Sequence, residues 1–254
     1  MARPAGDPLA IVTGGGRGIG RAIGRALAAD GYQIALVDLN GAAAEAAAQE
    51  ISAVSGLQGA AYQADVRDYA RAQEIVTDVL GRFGRVDALI NNAGITSPTT
   101  FVDLTEADWD LTIGVHLKGS FNYAHAVAPS MLAAGWGRII CISSMNAKTG
   151  GAFPAVSKTA YAAAKAGMLG LIRGLARDLA PAVTANAVCP GLIATELSAS
   201  MWAGPQAASV IASIPAGRLG LPEDIADAVA FLVSERAGYI SGEALDVNGA
   251  VYID

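Results

Sequence analysis

Tyr161 and Lys165 stand four residues apart in a segment of helical length, so both project from one face. A phenol ordinarily titrates at about pH 10, too high for a general base at neutral pH. A nearby cation, such as an ammonium, would favour the phenolate. Such a group can take a proton from a substrate hydroxyl, or return one to a carbonyl. Ser144 closes a strand-like run and can hydrogen-bond the same oxygen, fixing its orientation. Ser157 lies nearer in sequence but lacks that strand-end setting, so Ser144 is the expected partner. Taken alone, Y-x-x-x-K is equally an ordinary helix face.

A second chemistry sits near the start of the chain. The first strand-like run leads into Thr13-Gly14-Gly15-Gly16-Arg17-Gly18-Ile19-Gly20 and then a helical segment. Glycines there let the backbone approach a pyrophosphate, which the helix N-terminus stabilises. The spacing is G-x-x-x-G-x-G, not G-x-G-x-x-G, and a tight turn would account for the loop equally well. Asp38, ending the second strand-like run, can accept hydrogen bonds from the adenosine ribose hydroxyls. It would repel a 2′-phosphate, and Leu39 beside it supplies no cation. NAD is therefore expected over NADP, with Arg17 the residue that keeps NADP in play. The alternative for Asp38 is a helix cap or turn residue.

These elements occur in a known order. The chain resembles the short-chain dehydrogenases/reductases over nearly its whole length. Carrying the resemblance are T-G-x-x-x-G-x-G at Thr13–Gly20, Asp65-Val66 after the third strand, and Asn91-Asn92-Ala93-Gly94 after the fourth. Ile142-Ser143-Ser144, Tyr161-x-x-x-Lys165 and Pro190-Gly191 with Thr195 follow. The resemblance implies an NAD-linked oxidoreductase with Ser144, Tyr161 and Lys165 as catalytic residues. It implies cofactor contacts from Gly14, Arg17, Gly18, Ile19, Gly20 and Asp38, and from Asp65 and Val66 near the adenine. Asn91 would support the cleft lined by Asn92, Ala93 and Gly94. Lys165 would also hold the nicotinamide ribose beside Tyr161, and Thr195, beyond Pro190 and Gly191, the carboxamide. Asp65 and Asn91 are also plausible as simple turn residues.

Two departures stand out. Where the family usually has an Asn that holds a relay water, this chain reads Gly114-Val115-His116-Leu117-Lys118-Gly119. An imidazole can donate and accept, so His116 is a candidate for proton transfer whose ionisation would shape the pH profile. Equally, it is a packed helix histidine. The interval from Ser144 to Tyr161 is also a few residues longer than usual, through Lys148–Lys158. That extra length reads as a loop shaping substrate choice, or as an inert surface insertion.

The elements that must hold these residues follow from the apolar pattern. Strand-like runs at Leu9–Thr13, Gln33–Asp38, Gly59–Ala64, Val86–Ile90, Arg138–Ser143, Val183–Val188 and Ala244–Val247 alternate with helical segments. Those segments are Gly18–Ala29, Gly41–Val54, Tyr69–Phe83, Glu106–Ala134, Thr159–Leu179 and Pro222–Val233. Several strands are apolar on both faces, which predicts right-handed βαβ units. The expected fold is one Rossmann-type α/β domain over 1–254, a doubly wound parallel sheet with helices on both faces. A substrate lid is expected within about 192–215, by the resemblance.

Composition narrows the function. The 254 residues are 53% apolar and 16% charged, which excludes disorder. Net charge is −6 with no Lys/Arg run, so no nucleic acid or anionic membrane is expected as partner. No apolar segment reads as a span or a leader, and Cys141 and Cys189 read as reduced buried residues, pointing to the cytoplasm. With two histidines and no ligand spacing, no metal is expected. High apolarity predicts a homo-oligomer, and the family suggests a dimer or tetramer through Glu106–Ala134 and Thr159–Leu179.

Between Leu179 and Gly217 the only charge is Glu196, in a stretch that also holds Leu197, Met201 and Trp202. A lid without cations cannot grip a phosphate or carboxylate, although Lys148 and Lys158 could. The helix end Met131–Trp136 offers no basic face to an acidic carrier protein. A small neutral secondary alcohol or ketone, such as a polyol or sugar, ranks above a 3-oxoacyl thioester on acyl-carrier protein. Net dehydration or epimerisation with retained cofactor, and a dinucleotide-sensing binding protein, are the remaining classes.

Overall fold

The computed structural model describes residues 3–151, 157–196, 198–199 and 207–254. Seven strands form one parallel sheet: β1 (Leu9–Thr13), β2 (Gln33–Asp38), β3 (Gly59–Gln63), β4 (Ala88–Asn91), β5 (Gly137–Ile142), β6 (Val183–Pro190) and β7 (Ala244–Val247). Their order is β3-β2-β1-β4-β5-β6-β7. The chain winds outward from β1 to β3, returns to β4 on the other side of β1, and continues to β7. The order therefore reverses between β1 and β4, where the carboxyl ends of open α/β sheets leave a crevice.

Alternating residues of each central strand serve two cores. Leu9 and Ile11 of β1 pack on one face with residues of α3 (Tyr69–Phe83), α5 (Gly119–Ala134) and α7 (Thr159–Asp178). Ala10 and Val12 pack on the other with α1 (Gly18–Ala29), α2 (Gly41–Ser55) and α9 (Pro222–Val233). Coverage on both sides is why the strands lack a polar face. Asn40 caps α2 by accepting the Ala43 N–H at 3.1 Å, and Asp68 caps α3 by accepting that of Arg71 at 3.0 Å.

Three elements differ from the sequence reading. The expected helix over Glu106–Ala134 is α4 (Glu106–Ile113), a π-helical turn at Gly114–Lys118, and α5. At the start of α5 Ser120 Oγ donates back to the carbonyl of His116 in that turn at 2.6 Å. β4 begins at Ala88 because Asp87 turns its carboxylate to the Leu9 N–H at 2.9 Å and to Arg85. β6 runs on to Pro190, whose carbonyl accepts the Met145 N–H at 3.0 Å. That bond holds the turn after β5 against β6. Among the described residues two short helices, α6 (Asn146–Thr149) and α8 (Ala207–Ala212), and a 3-10 turn at Glu235–Ala237 complete the fold. No helix among the described residues is long and apolar enough to cross a membrane.

Candidate active site

A cavity of about 330 Å³ opens at the carboxyl ends of the central strands. Its nucleotide end is made largely of main chain. Gly14, Arg17, Gly18, Ile19 and Asp38 line it, as do Asn92, Ala93 and Gly94. The glycine turn is held from three sides. Gly15 N–H donates to the Val37 carbonyl at 3.2 Å, and Gly16 N–H to Asp38 Oδ2 at 3.0 Å. Asn92 Nδ2 donates to the carbonyls of Thr13 and Gly14, both at 3.0 Å. Asp38 Oδ1 accepts the Asn40 N–H at 2.9 Å, so this carboxylate braces the turn while facing the cavity; the cap of α2 is Asn40.

A dinucleotide fits this end on two observations. A Cβ at Gly20 would lie 2.1 Å from the Gly14 carbonyl oxygen, so the first turn of α1 presses against the loop as only glycine allows. Gly18 has φ +52°, and the nearest atom to a Cβ there would be Glu196 Oε2 at 3.5 Å. Arg17 precedes α1 in extended conformation and makes no capping bond, leaving the helix's first N–H groups without a side-chain partner. A diphosphate would meet them.

Asp65 and Val66 do not line the cavity. The Asp65 carboxylate is engaged by Arg67, whose Nη2 lies 2.6 Å away, and that guanidinium holds the carboxyl below its usual range. Val66 accepts the Asn122 side-chain N–H at 2.8 Å and packs beside Gly119. Asn91 is also internal, donating to the Ser120 carbonyl at 3.2 Å.

At the other end β5 stops at Ile142, and Ser143 and Ser144 turn toward α7. Ser143 Oγ donates to the Lys165 carbonyl at 2.9 Å, and Lys165 Nζ to the Ile142 carbonyl at 2.6 Å. These two bonds clamp the strand end to the helix that carries Tyr161. Lys165 Nζ lies 5.5 Å from the Tyr161 ring centroid. Ser144 lies near enough to the Tyr161 hydroxyl to favour its ionised form, and its Oγ accepts the Asn146 N–H at 3.1 Å. Ser157, the alternative partner, accepts the Ser97 N–H at 3.2 Å instead.

The electrostatics correct one expectation. Among protein groups, burial is the largest influence on Tyr161 and pushes its phenol up, with Ser144 opposing. Burial also brings the Lys165 ammonium down to about 8. The lysine, drawn to the Ile142 carbonyl, does not by itself make the phenol a base at neutral pH.

His116 is buried, with its ring edge-on to Tyr161 at a centroid separation of 5.0 Å. Burial and then the Lys165 charge push it down to about 3, so the imidazole is neutral across the physiological range. That desolvation argues against the expectation that its ionisation shapes the pH profile. Its Nε2 faces both the carbonyl of Ile95 at 3.0 Å and the N–H of Ile95 at 3.3 Å. One nitrogen bonds only one of these in either tautomer. Nδ1 is sealed from solvent with no partner.

Lys148 is not free to grip an anion, contrary to expectation. Its Nζ lies 2.7 Å from both Asp246 and Asp254, and those carboxylates raise its pKa against the effect of burial. The long Ser144–Tyr161 connection is closed at its base: Asn146 Nδ2 donates to the Ser157 carbonyl at 3.2 Å, and Lys158 N–H to that of Ser97 at 2.8 Å. Both flanks therefore converge despite the added length. Residues 152–156 of this loop, and Leu197, Met201 and Trp202 of the expected lid, lie outside the described residues. Pro190 and Gly191, just before the lid, and Thr195, within its described part, line the cavity, and Glu196 pairs with Arg21 at 3.1 Å. Sequence reasoning missed Ile95, Thr96, Met145, Asn146, Leu192, Ile193 and Ser198, which also line the wall. Their only signal was adjacency to a motif.

Comparison with known proteins agrees with this geometry. A family model described as enoyl-(acyl carrier protein) reductase matches residues 14–251. The 3-oxoacyl-[acyl-carrier-protein] reductase FabG of Escherichia coli (strain K12) is 39% identical over 246 residues, covering 96% of this chain and 97% of that protein. The acetoacetyl-CoA reductase of Rhizobium meliloti (strain 1021) is 40% identical over 245 residues, covering 96% and 98%. Among solved structures, a short-chain dehydrogenase/reductase described as glucose/ribitol dehydrogenase from Brucella melitensis superposes with a TM-score of 0.89 at 30% identity, covering 100% of both chains.

Proposed function

The chain belongs to the short-chain dehydrogenase/reductase family of oxidoreductases acting on CH–OH groups, and from that premise we propose an NAD-linked dehydrogenase of a small neutral secondary alcohol. The observation that carries this reading is the cluster of Ser144, Tyr161 and Lys165 at one end of a cavity whose other end is the glycine turn and Asp38.

A bound oxidised nicotinamide would supply the acceptor for the carbinol hydrogen and its electron pair. Tyr161 receives the hydroxyl proton on its phenolate oxygen, and in the reverse direction gives it to the carbonyl. Because burial raises this phenol, the positive charge of the oxidised cofactor is what tips it toward the base. Ser144 fixes the reacting oxygen beside Tyr161. Lys165, buried and anchored at Ile142, supplies the ammonium below Tyr161 and, as the family implies, holds the ribose hydroxyls. His116 serves by packing: a neutral ring, bonded through Nε2 and with Nδ1 sealed, supports the Tyr161 face and is poorly placed to pass a proton.

Asp38 supports NAD over NADP, because its carboxylate faces the cavity and the adjoining Leu39 is exposed and uncharged. Gly14, Gly18, Ile19 and Gly20, with Asn92, Ala93, Gly94, Pro190, Gly191 and Thr195, form the remaining cofactor contacts in this reading. Asp65 and Val66 act from behind the wall. Exposed Trp109, Leu111 and Phe121 on α4 and α5 support a homo-oligomer; light scattering giving a monomer mass at micromolar protein would contradict it.

A second reading draws on the relatives. Two of them are named for 3-oxoacyl thioester reduction, and such a substrate would place its ketone at the same Tyr161. Initial rates with NAD and NADP, on neutral secondary alcohols and on 3-oxoacyl thioesters, decide between the two readings. The first requires NAD reduction by the alcohols to exceed thioester reduction in kcat/KM.

A further inference from the structure

The substrate end of the cavity carries charge only beneath its tyrosine. Among the described lining residues, Arg17, Asp38 and Glu196 belong to the nucleotide end, and Lys165 is spent on the Ile142 carbonyl. The rest of that wall is apolar at Ile95, Met145, Leu192 and Ile193, and polar at Thr96, Asn146 and Ser157 and, toward the lid, at Thr195 and Ser198. Asn146 and Ser157 are each more than nine-tenths buried and both line the cavity. Their fixed bonds leave capacity unspent.

Asn146 uses Nδ2 on the Ser157 carbonyl, and its Oδ1 has no partner among the described residues, on a side chain that lines the cavity. Ser157 Oγ accepts the Ser97 N–H and keeps its own proton to donate. The pair thus offers one acceptor and one donor side by side. The first backbone bond of this turn, Asn146 N–H to Ser144 Oγ at 3.1 Å, ties the pair to the hydroxyl that faces Tyr161.

We infer that Asn146 and Ser157 form a specificity site for a second, uncharged hydroxyl on the carbon next to the reacting carbinol, which makes the substrate a vicinal diol or polyol. A hydroxyl is the smallest group that both donates and accepts, matching Oδ1 and the Ser157 O–H together. A wall built to hydrogen-bond a hydroxyl rejects the analogue lacking it, because its own buried groups are left unpaired. The thioester carbonyl of a 3-oxoacyl substrate only accepts, and would leave Asn146 Oδ1 bare. This inference rests on the dehydrogenase reading above and sharpens it.

The test begins with the unaltered protein. NAD reduction is measured with a secondary mono-alcohol, the vicinal diol of the same length, and that diol's mono-methyl ether, which cannot donate. The expected order is diol over mono-alcohol by about 10- to 100-fold in kcat/KM, with the ether no better than the mono-alcohol. Asn146→Ala and Ser157→Ala should each shrink the diol preference to within about 3-fold, while damage to the loop alone would lower both substrates together and leave the ratio intact. Equal kcat/KM for diol and mono-alcohol in the unaltered protein, or an unchanged ratio in both variants, would overturn the inference and leave the dehydrogenase reading standing. No NAD reduction by any alcohol would instead overturn that reading, and the inference with it.

Discussion

The two ends of the cavity are built from different materials. At the nucleotide end the functional groups are backbone: the glycine turn, the open N-terminus of α1, and loops stitched together by Thr13 and Asn92. The substrate end relies on side chains, such as Ser144, Asn146, Ser157 and Tyr161, on a loop closed at its base by Asn146 Nδ2 and the Ser157 carbonyl. Backbone sites tolerate little variation in residue type, because each Cβ added meets a neighbouring chain. Side-chain sites can be rebuilt whenever the scaffold keeps the loop ends together.

That difference can be broken or sharpened by substitution. The largest effect belongs to the backbone end. Gly20→Ala places a Cβ against the Gly14 carbonyl, so NADH affinity should fall by more than about 100-fold in a fluorescence titration, with circular dichroism reporting whether the fold survives. Retained affinity would mean that the turn is less rigid than its contacts imply.

Next comes the clamp between strand and helix. Lys165→Met should lower kcat by about 10²- to 10³-fold, from loss of the charge near Tyr161 and of the ammonium's bond to Ile142. Because Lys165 titrates near 8 and Tyr161 is raised, the ammonium that favours phenolate is present below that pH and fades above it. The pH profile for oxidation in Lys165→Met should therefore lose a limb near pH 8 that the unaltered protein shows.

A smaller effect is expected at Asp38, where side chain and main chain meet. Asp38→Ala should cut the preference for NAD over NADP by about 10-fold, and also loosen Gly16 and Asn40, whose N–H groups it accepts. An unchanged cofactor ratio would assign the carboxylate to bracing alone.

His116 tests the substrate end through stability. Its folded pKa lies near 3, below the ordinary value of 6.5, so the fold favours the neutral ring. The contribution is whole above the unfolded value and is lost as pH falls toward the folded one. Between pH 6.5 and 5 the unaltered protein should lose up to about 2 kcal/mol more than His116→Asn, followed by urea unfolding. An amide can also meet both the N–H and the carbonyl of Ile95 at once, so His116→Asn should be no less stable at pH 7.

Legibility in the sequence follows the same division. Strand and helix periods placed all seven strands of the sheet, because strands covered on both faces read as unbroken apolar runs. The glycine turn, Asp38, Ser144 and the Tyr161–Lys165 pair were legible because their chemistry needs fixed types at short spacings. The π-turn at Gly114–Lys118 was not, since a single added residue in a spiral leaves an amphipathic pattern nearly intact. Nor were the partners of Lys148, separated from it by about a hundred positions, or Asn146 and Ser157, whose role depends on a loop closing at its base. At Asp65 the sequence did not show that the carboxylate is engaged by Arg67, two positions on.

The account turns on Tyr161 exchanging the proton at a cavity that holds a dinucleotide. The most direct measurement is NAD reduction by a vicinal diol in the unaltered protein and in Tyr161→Phe, with NADH affinity determined for both. A loss of about 10³-fold in kcat with NADH binding unchanged within about 3-fold is the predicted result. Turnover that survives the loss of the phenol would contradict it.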